Sequence, residues 1–243
     1  MAPFRRFRGG AMQVVDGYLQ VGPDELEQQS LAELLRGQSL PLHFNGVDFS
    51  GQDLSRMELS GARFERCLFA AADLTAAMLE ATEWISCRAP EAVFRSAQLT
   101  DARFLRSDLN NSRWQRSKLA QARFEGCKLT GANFSDTSTL GMVFHDCVLR
   151  SACLSGLSFY KGELYNLDFA EADLSYCDFR KAVFVEGGSL SLARVNNARF
   201  DQADLREASL DGLRLVDAKL FHGAIISRAQ ASMLLSGLGL TVL

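Results

Sequence analysis

Residues 62–81 read ARFER-CLFAA-ADLTA-AMLEA, four consecutive units of five residues that share one pattern. The first residue of each unit is small and the third is large and apolar, namely Phe64, Phe69, Leu74 and Leu79. We call this large residue the centre of its unit. Centres recur every five residues from Phe44 to Phe184 and, after one extra residue, from Leu190 to Ile225. Most of the chain is therefore one internal repeat, which determines the architecture before local secondary structure is considered.

A period of five fits neither an α-helix, which repeats every 3.6 residues, nor a flat strand, which repeats every two. The chain must therefore turn once per unit. Four units close a square coil of about 20 residues, and coils stack at the inter-strand spacing of about 4.8 Å. Every twentieth residue then lies on the same side, and one such column is almost entirely aromatic: Phe44, Phe64, Trp84, Phe104, Phe124, Phe144, Leu164 and Phe184. The pattern predicts an all-β solenoid.

Several units carry a more specific motif, a small residue followed by Asp or Asn and then by the centre. Examples are Ala72-Asp73-Leu74, Ala132-Asn133-Phe134, Ala172-Asp173-Leu174 and Ala203-Asp204-Leu205. By these motifs residues 42–226 resemble the pentapeptide-repeat proteins. The resemblance implies a right-handed quadrilateral β-helix, here of about nine coils, with short helical caps at both ends.

Segments outside the repeat are expected to cap the ends, because raw sheet edges aggregate. We expect an N-terminal arm and capping helix over residues 1–40, the β-helix over 41–226 and a C-terminal capping and dimerisation helix over 227–243. Met12 to Val21 is expected to form a short strand pair or an extended arm, and Pro23 to Gly37 carries the start and stop signals of a helix. Ser227 is the expected N-cap of the last helix.

The C-terminal segment is more apolar than a single cap requires. Its apolar residues are Leu234, Leu235, Leu238, Leu240 and Val242. Exposed apolar patches of this kind mark association, so these residues predict a homodimer interface, with coverage of the last coil as the alternative. The ending also resembles that of the bacterial pentapeptide-repeat proteins that protect DNA gyrase, in which a short helix pairs two rods end to end.

The sequence predicts no catalytic or cofactor site. Five of the six cysteines occupy the small position of the repeat, where a buried thiol packs as a small hydrophobe: Cys67, Cys87, Cys127, Cys147 and Cys177. His43, His145 and His222 are far apart in the repeat, and no metal-ligand cluster or phosphate loop is present. The absence of a long apolar run or secretory signal predicts a cytoplasmic protein with no integral membrane insertion.

Outward-pointing residues of the repeat are grouped by charge. Residues 88–128 hold nine basic and four acidic residues, and we define the basic belt as Arg103, Arg113, Arg116, Lys118, Arg123 and Lys128. No basic residue lies between 162 and 179, and we define the acidic belt as Glu163, Asp168, Glu171, Asp173 and Asp178, with the outward tyrosines Tyr160, Tyr165 and Tyr176 beside it. Exposed tyrosines often anchor interfaces, so the acidic belt is the predicted partner-binding surface.

Two functions fit these features. The first, implied by the family resemblance, is a DNA-mimicking rod that binds DNA gyrase or topoisomerase, although the net charge of only -3 and the basic belt match a basic partner incompletely. The second is a scaffold, effector or adaptor that binds another protein through its charged belts and N-terminal segment. Direct nucleic-acid binding is not expected, because the basic belt surrounds the rod and does not form a stripe with stacking aromatics.

Overall fold

The computed structural model describes residues 13–28, 30–36, 40–213 and 218–237. The repeat forms a right-handed parallel β-helix, as the family resemblance implied. One side of eight successive coils is a short strand, and these strands are β3 (Leu42–Asn45), β4 (Arg63–Glu65), β5 (Glu83–Ile85), β6 (Arg103–Leu105), β7 (Arg123–Glu125), β8 (Val143–His145), β9 (Glu163–Tyr165) and β10 (Val183–Val185). We call this side 1. Sides 2, 3 and 4 follow in chain order, with Phe69, Leu74 and Leu79 as their centres in one coil.

Each unit turns at its fifth residue. Ala71, Ala76 and Ala81 have φ angles of 53°, 57° and 53°, in the left-handed region that L-residues usually avoid. The cost is offset by the ladder, since the N–H of Ala71 donates to the carbonyl of Pro90 in the next coil at 2.9 Å. One such turn per unit gives the chain its square cross-section.

The interior is filled by the predicted columns. Phe104 and Phe124 stack with centroids 4.8 Å apart and planes 5° from parallel. All five predicted interior cysteines are buried. Each of these thiols donates to a carbonyl one coil below, as Cys127 does to Phe104 at 3.3 Å. Partnered and shielded in this way, they are structural residues.

The two tryptophans need a polar partner inside this apolar core. The indole Nε1–H of Trp84 donates to Thr82 Oγ1 at 3.0 Å, and that of Trp114 donates to Ser112 Oγ at 2.7 Å. Both hydroxyls are fully buried and donate in turn to a backbone carbonyl. A hydroxyl at the small position therefore satisfies a tryptophan at the centre two residues later.

The N-terminal cap combines two strands and two helices. Strands β1 (Val14–Val15) and β2 (Tyr18–Val21) form an antiparallel pair, and β2 extends the sheet by pairing in parallel with β3. The strand-pair alternative is thus confirmed. The prediction of one helix between Pro23 and Gly37 was wrong, because α1 (Pro23–Gln28) and α2 (Leu31–Leu35) are separate. Ser30 begins α2 with a capping box to Glu33, which starts a new helix.

The C-terminal helix α3 (Arg228–Gly237) begins at the predicted cap, where Ser227 Oγ accepts from the N–H of Gln230 at 3.2 Å. Gln230 is buried and fastens the helix to the last coils, since its Nε2 donates to the carbonyls of Leu205 and Ala208 at 2.7 Å each. A short 3-10 helix, Ala218–Phe221, precedes it. These contacts close the apolar end of the solenoid.

The extra residue of the repeat forms a bulge after β10 at Gly187 and Gly188. Gly187 and Gly188 have φ angles of 105° and 111°. A Cβ on Gly188 would lie 2.8 Å from the carbonyl oxygen of Leu167. The ladder resumes one residue later, with Asp168 bridging to Ser189.

Candidate protein-binding surface

The acidic belt lies on all four sides of one coil, with Glu163, Asp168, Asp173 and Asp178 before consecutive centres. Arginines from elsewhere reach every aspartate. Arg150 contacts Asp168 at 3.5 Å and also Glu171 at 3.0 Å, Arg180 contacts Asp178 at 2.6 Å, and Arg194 contacts Asp173 at 3.2 Å. Glu163 accepts from the hydroxyl of Tyr165 at 2.9 Å. The negative charge of the belt is therefore largely neutralised by neighbouring arginines. Residues 162–179 contain no basic residue, so this neutralisation could not be read from that segment.

One of these pairings lowers the pKa of a carboxyl group. The hydrogen bond from the Arg180 guanidinium is the main cause of the lowered pKa of Asp178. Ion pairs at a half-exposed surface add little stability, but three arginines offset three of the five negative charges of the acidic belt. The electrostatic attraction of this belt for a basic partner is correspondingly weak.

The basic belt shows the opposite arrangement. All six of its residues are exposed. Within the described part of the chain, none of them forms an ion pair or a side-chain hydrogen bond with another residue, and the same holds for Arg88, Arg95 and Arg106 in the same coils. The cationic charge of residues 88–128 is therefore not neutralised by ion pairs with the described residues, and all of these cations except the half-buried Arg95 are exposed.

The three tyrosines beside the acidic belt do not form one patch. Tyr160, Tyr165 and Tyr176 lie at three different corners of the coil. Tyr160 packs under two cations, with Lys161 Nζ 5.1 Å and Arg180 Cζ 5.2 Å from its ring centroid. Tyr165 stacks on His145 at 5.1 Å, and Tyr176 is 66% exposed. Of the three, Tyr176 is the most available to a partner.

The hydrogen-bonded ladder is interrupted at one place. Among the described residues, no backbone hydrogen bond joins residues 136–143 to residues 156–163 in the next coil. The ladder is intact on either side, where the N–H of Phe134 donates to Cys153 and that of Asp146 donates to Tyr165. As a result, strands β8 and β9 belong to separate sheets. We call this interruption the seam.

The seam has a steric cause. Thr139 is a polar centre, and the small positions nearby hold the large residues Met142 and Leu157 where neighbouring coils have mainly Ala, Ser, Thr, Cys or Gly. Leu157 is buried, and Met142 packs against the core. Oversized side chains in a close-packed interior push the surrounding backbone apart. A small polar residue at a centre and large residues at two small positions thus separate the two coils, on sides 4 and 1 only.

Exposed apolar side chains gather at the seam. Leu140 and Tyr160 occupy the same corner in consecutive coils and are 79% and 45% exposed. Val143, three residues beyond Leu140, is also exposed. Such a patch next to unpaired backbone groups is a candidate protein contact. The sequence signal was the polar centre Thr139, which by itself gave no indication of the exposed Leu140.

The predicted dimer interface is only partly described. Leu234 packs against the core of its own chain, whereas Leu235 is 39% exposed. Leu238, Leu240 and Val242 lie outside the described residues. Leu235 is therefore the described residue of α3 that best tests the dimer.

In the ranges the structure describes, no group of three or more His, Cys, Asp or Glu side chains could hold a metal ion. No helix among the described residues is long and apolar enough to cross a membrane.

A parallel β-helix built from five-residue units with alternating small and large interior residues defines a class of solenoid. The model of the pentapeptide-repeat family matches eight copies, over residues 43–80, 114–138, 127–161 and 189–222. The chain belongs to the pentapeptide-repeat family. No protein in the curated set matches the chain significantly in sequence.

Solved structures of one family member resemble this chain over most of its length. They are structures of QnrB1, a plasmid-mediated fluoroquinolone resistance protein. A trypsin-treated variant superposes with a TM-score of 0.70 at 26% identity, covering 83% of this chain and 99% of that one. Full-length QnrB1 gives a TM-score of 0.70 at 24% identity, with 82% and 100% covered. A second trypsin-treated variant gives 0.68 at 25% identity.

Proposed function

We propose that this protein is a non-enzymatic binding rod that contacts DNA gyrase and protects it from fluoroquinolones. The observation that carries the proposal is the likeness to the fluoroquinolone resistance protein QnrB1, which extends over 99% of that chain at 26% identity. The family resemblance of the C-terminus to gyrase-protecting members supports the same partner. The function then lies on the outer surface and at the ends of the rod, since the interior is filled by the repeat.

Gyrase binding by DNA mimicry requires ionised carboxylates that face a basic surface. We assign this part of the contact first to the N-terminal coils, where Asp48, Asp53, Glu58 and Asp73 form no ion pair with a described residue. Asp48 and Asp53 accept hydrogen bonds from Ser50 and Ser55, which lower the pKa of both carboxyls and keep them charged. The acidic belt, being largely paired, is the second candidate.

A supercoiling assay tests the proposal. Purified protein added to gyrase with and without a fluoroquinolone is expected to inhibit supercoiling or to restore it in the presence of the drug. The triple variant Asp48→Asn, Asp53→Asn, Glu58→Gln is expected to weaken the effect about tenfold or more, as loss of three favourable charge contacts implies. The variant Asp168→Asn, Asp173→Asn, Asp178→Asn removes the same charge from the acidic belt and is expected to have less effect.

A flat response of the wild-type protein at all concentrations would rule out gyrase as the partner. A stronger loss in the acidic-belt variant than in the N-terminal variant would move the contact to the acidic belt and the tyrosines beside it.

The alternative is a scaffold or adaptor for another protein. The exposed apolar residues at the seam favour it, because Leu140, Val143 and Tyr160 supply the apolar anchors that protein interfaces use. If this alternative holds, Leu140→Ser with Tyr160→Ser abolishes capture of that protein, while the supercoiling assay stays flat.

A homodimer through the C-terminus is part of the proposal. It rests on the exposed Leu235 of α3 and on the apolar sequence that follows. Pairing two rods end to end would double the length of surface offered to a two-fold symmetric partner.

A further inference from the structure

Two adjacent sides of the rod carry four cations and a single acid over two coils. Residues 92–101 and 112–121, which form sides 3 and 4 of consecutive coils, contain Arg95, Arg113, Arg116 and Lys118, and their one acid is Asp101, the turn residue at the end of side 4. The sides 1 and 2 that follow them differ, because there Arg103, Arg106, Arg123 and Lys128 alternate with Asp108 and Glu125. The corner between sides 3 and 4, where Arg95 joins three residues of the basic belt, carries only positive charge in these two coils, and we call it the cationic corner.

The ladder fixes the geometry of the cationic corner. Arg113 stands in register between Val93 and Asn133, and Lys118 between Gln98 and Ser138. The neighbours in the same columns are thus apolar or neutral. The nearest acid of the following coil is Asp136, and it forms no ion pair with Arg116. Asp136 follows Arg116 by 20 residues and is therefore its neighbour in the column, whereas the column neighbours of the other three cations are apolar or neutral.

The chemistry of the surrounding surface distinguishes the kinds of anionic partner. Residues 88–128, all of which the structure describes, include no exposed large apolar side chain. A protein interface normally needs aromatic or apolar anchors, and a single-stranded nucleic acid needs aromatic platforms for its bases. Arg and Lys with Asn, Gln and Ser are the side chains that contact the phosphates of a duplex.

We propose that the cationic corner, formed by Arg95, Arg113, Arg116 and Lys118, binds the phosphate backbone of double-stranded DNA without reading its sequence. This departs from the expectation drawn from the sequence, in which the basic belt surrounds the rod and direct nucleic-acid binding is not expected. Acidic residues on sides 1 and 2 reduce the positive electrostatic potential there. We therefore assign the DNA contact to the corner between sides 3 and 4. The two coils span about 10 Å at the strand spacing, about three phosphate steps along one strand.

The test is fluorescence anisotropy of a labelled 25-base-pair duplex titrated with the full-length protein between 25 and 200 mM KCl. Binding is expected, with a slope of log K against log[KCl] of about -3 to -4, from about 0.9 per phosphate neutralised. The variant Arg113→Gln, Arg116→Gln is expected to flatten the slope by about 2 and to weaken binding about tenfold or more at the lowest salt. A single strand of the same length is expected to bind more weakly than the duplex.

The matched control is Arg150→Gln, Arg194→Gln, which makes the same change in net charge but removes arginines that are paired with acids. It is expected to leave the slope unchanged. Circular dichroism and thermal melting verify that both variants are folded.

Absence of duplex binding at 25 mM KCl, or an equal flattening of the salt slope in both variants, would overturn the proposal. So would binding of labelled poly-L-glutamate in preference to the duplex, which would identify an acidic protein as the partner. The assay contains no gyrase, so its result is independent of the supercoiling assay.

Discussion

The hydroxyl that accepts from a buried tryptophan is open to a quantitative test. Trp114 is fully buried between Phe94 and Phe134, whose ring centroids lie 4.1 and 5.4 Å from its own. Its indole N–H donates to Ser112 Oγ at 2.7 Å. Ser112→Ala removes this acceptor and leaves a buried donor unsatisfied, which costs about 1–3 kcal/mol of the free energy of unfolding. The same substitution costs less in a Trp114→Phe background, because phenylalanine has no donor to satisfy and only the bond from Ser112 Oγ to the Leu109 carbonyl is lost.

The chain supplies its own reference for the double variant. Ser112→Ala with Trp114→Phe recreates the combinations at Ala92 with Phe94 and Ala132 with Phe134, which flank it on side 3. Urea unfolding followed by far-ultraviolet circular dichroism on the wild type, both single variants and the double variant completes a mutant cycle. We expect a coupling free energy of about 1–3 kcal/mol. If Ser112→Ala costs the same in both backgrounds, within about 0.5 kcal/mol, the hydrogen bond does not stabilise the core as argued.

Three further outcomes are expected. At the seam, the amides of Thr139, Gly141 and Ser158 should exchange with deuterium at least tenfold faster than their equivalents one coil away, since no ladder bond protects them; equal protection would mean that the coils are joined there. Gly188→Ala should destabilise the protein by about 1–3 kcal/mol in urea unfolding, because the new Cβ meets a backbone carbonyl at positive φ. An unchanged urea midpoint would show that alanine is accommodated at this position without strain. Leu235→Asp should convert a dimer to a monomer by light scattering without a change in melting temperature, and a mass that stays doubled would refute the contribution of α3 to the dimer.

The candidate site was predictable in composition but not in pairing. The acidic and basic belts could be read from the sequence, because outward positions follow from the period of five. Their partners could not, since Arg150 and Arg194 meet the acidic belt only through coils that lie 20 residues apart along the chain. The acidic belt, which the sequence predicted as the partner-binding surface, is thus more fully neutralised by ion pairs than the basic belt.

The ends and the seam show the same limit. The N-terminal helix was predicted as one because Pro23 and Gly37 mark a start and a stop, but a local capping box at Ser30 divides it. At the seam, Thr139 was visible as a polar centre. The loss of the ladder depended on Met142 and Leu157 acting together on two coils, which is a property of packing.

The sequence alone determined the period, the interior columns and the square coil, because one large and one small residue in every five can be buried only if the chain turns once per unit. Tertiary structure decided which charges are neutralised by ion pairs and where the ladder opens. These features depend on contacts between side chains of stacked coils, which lie about 4.8 Å apart in space although the residues are far apart along the chain.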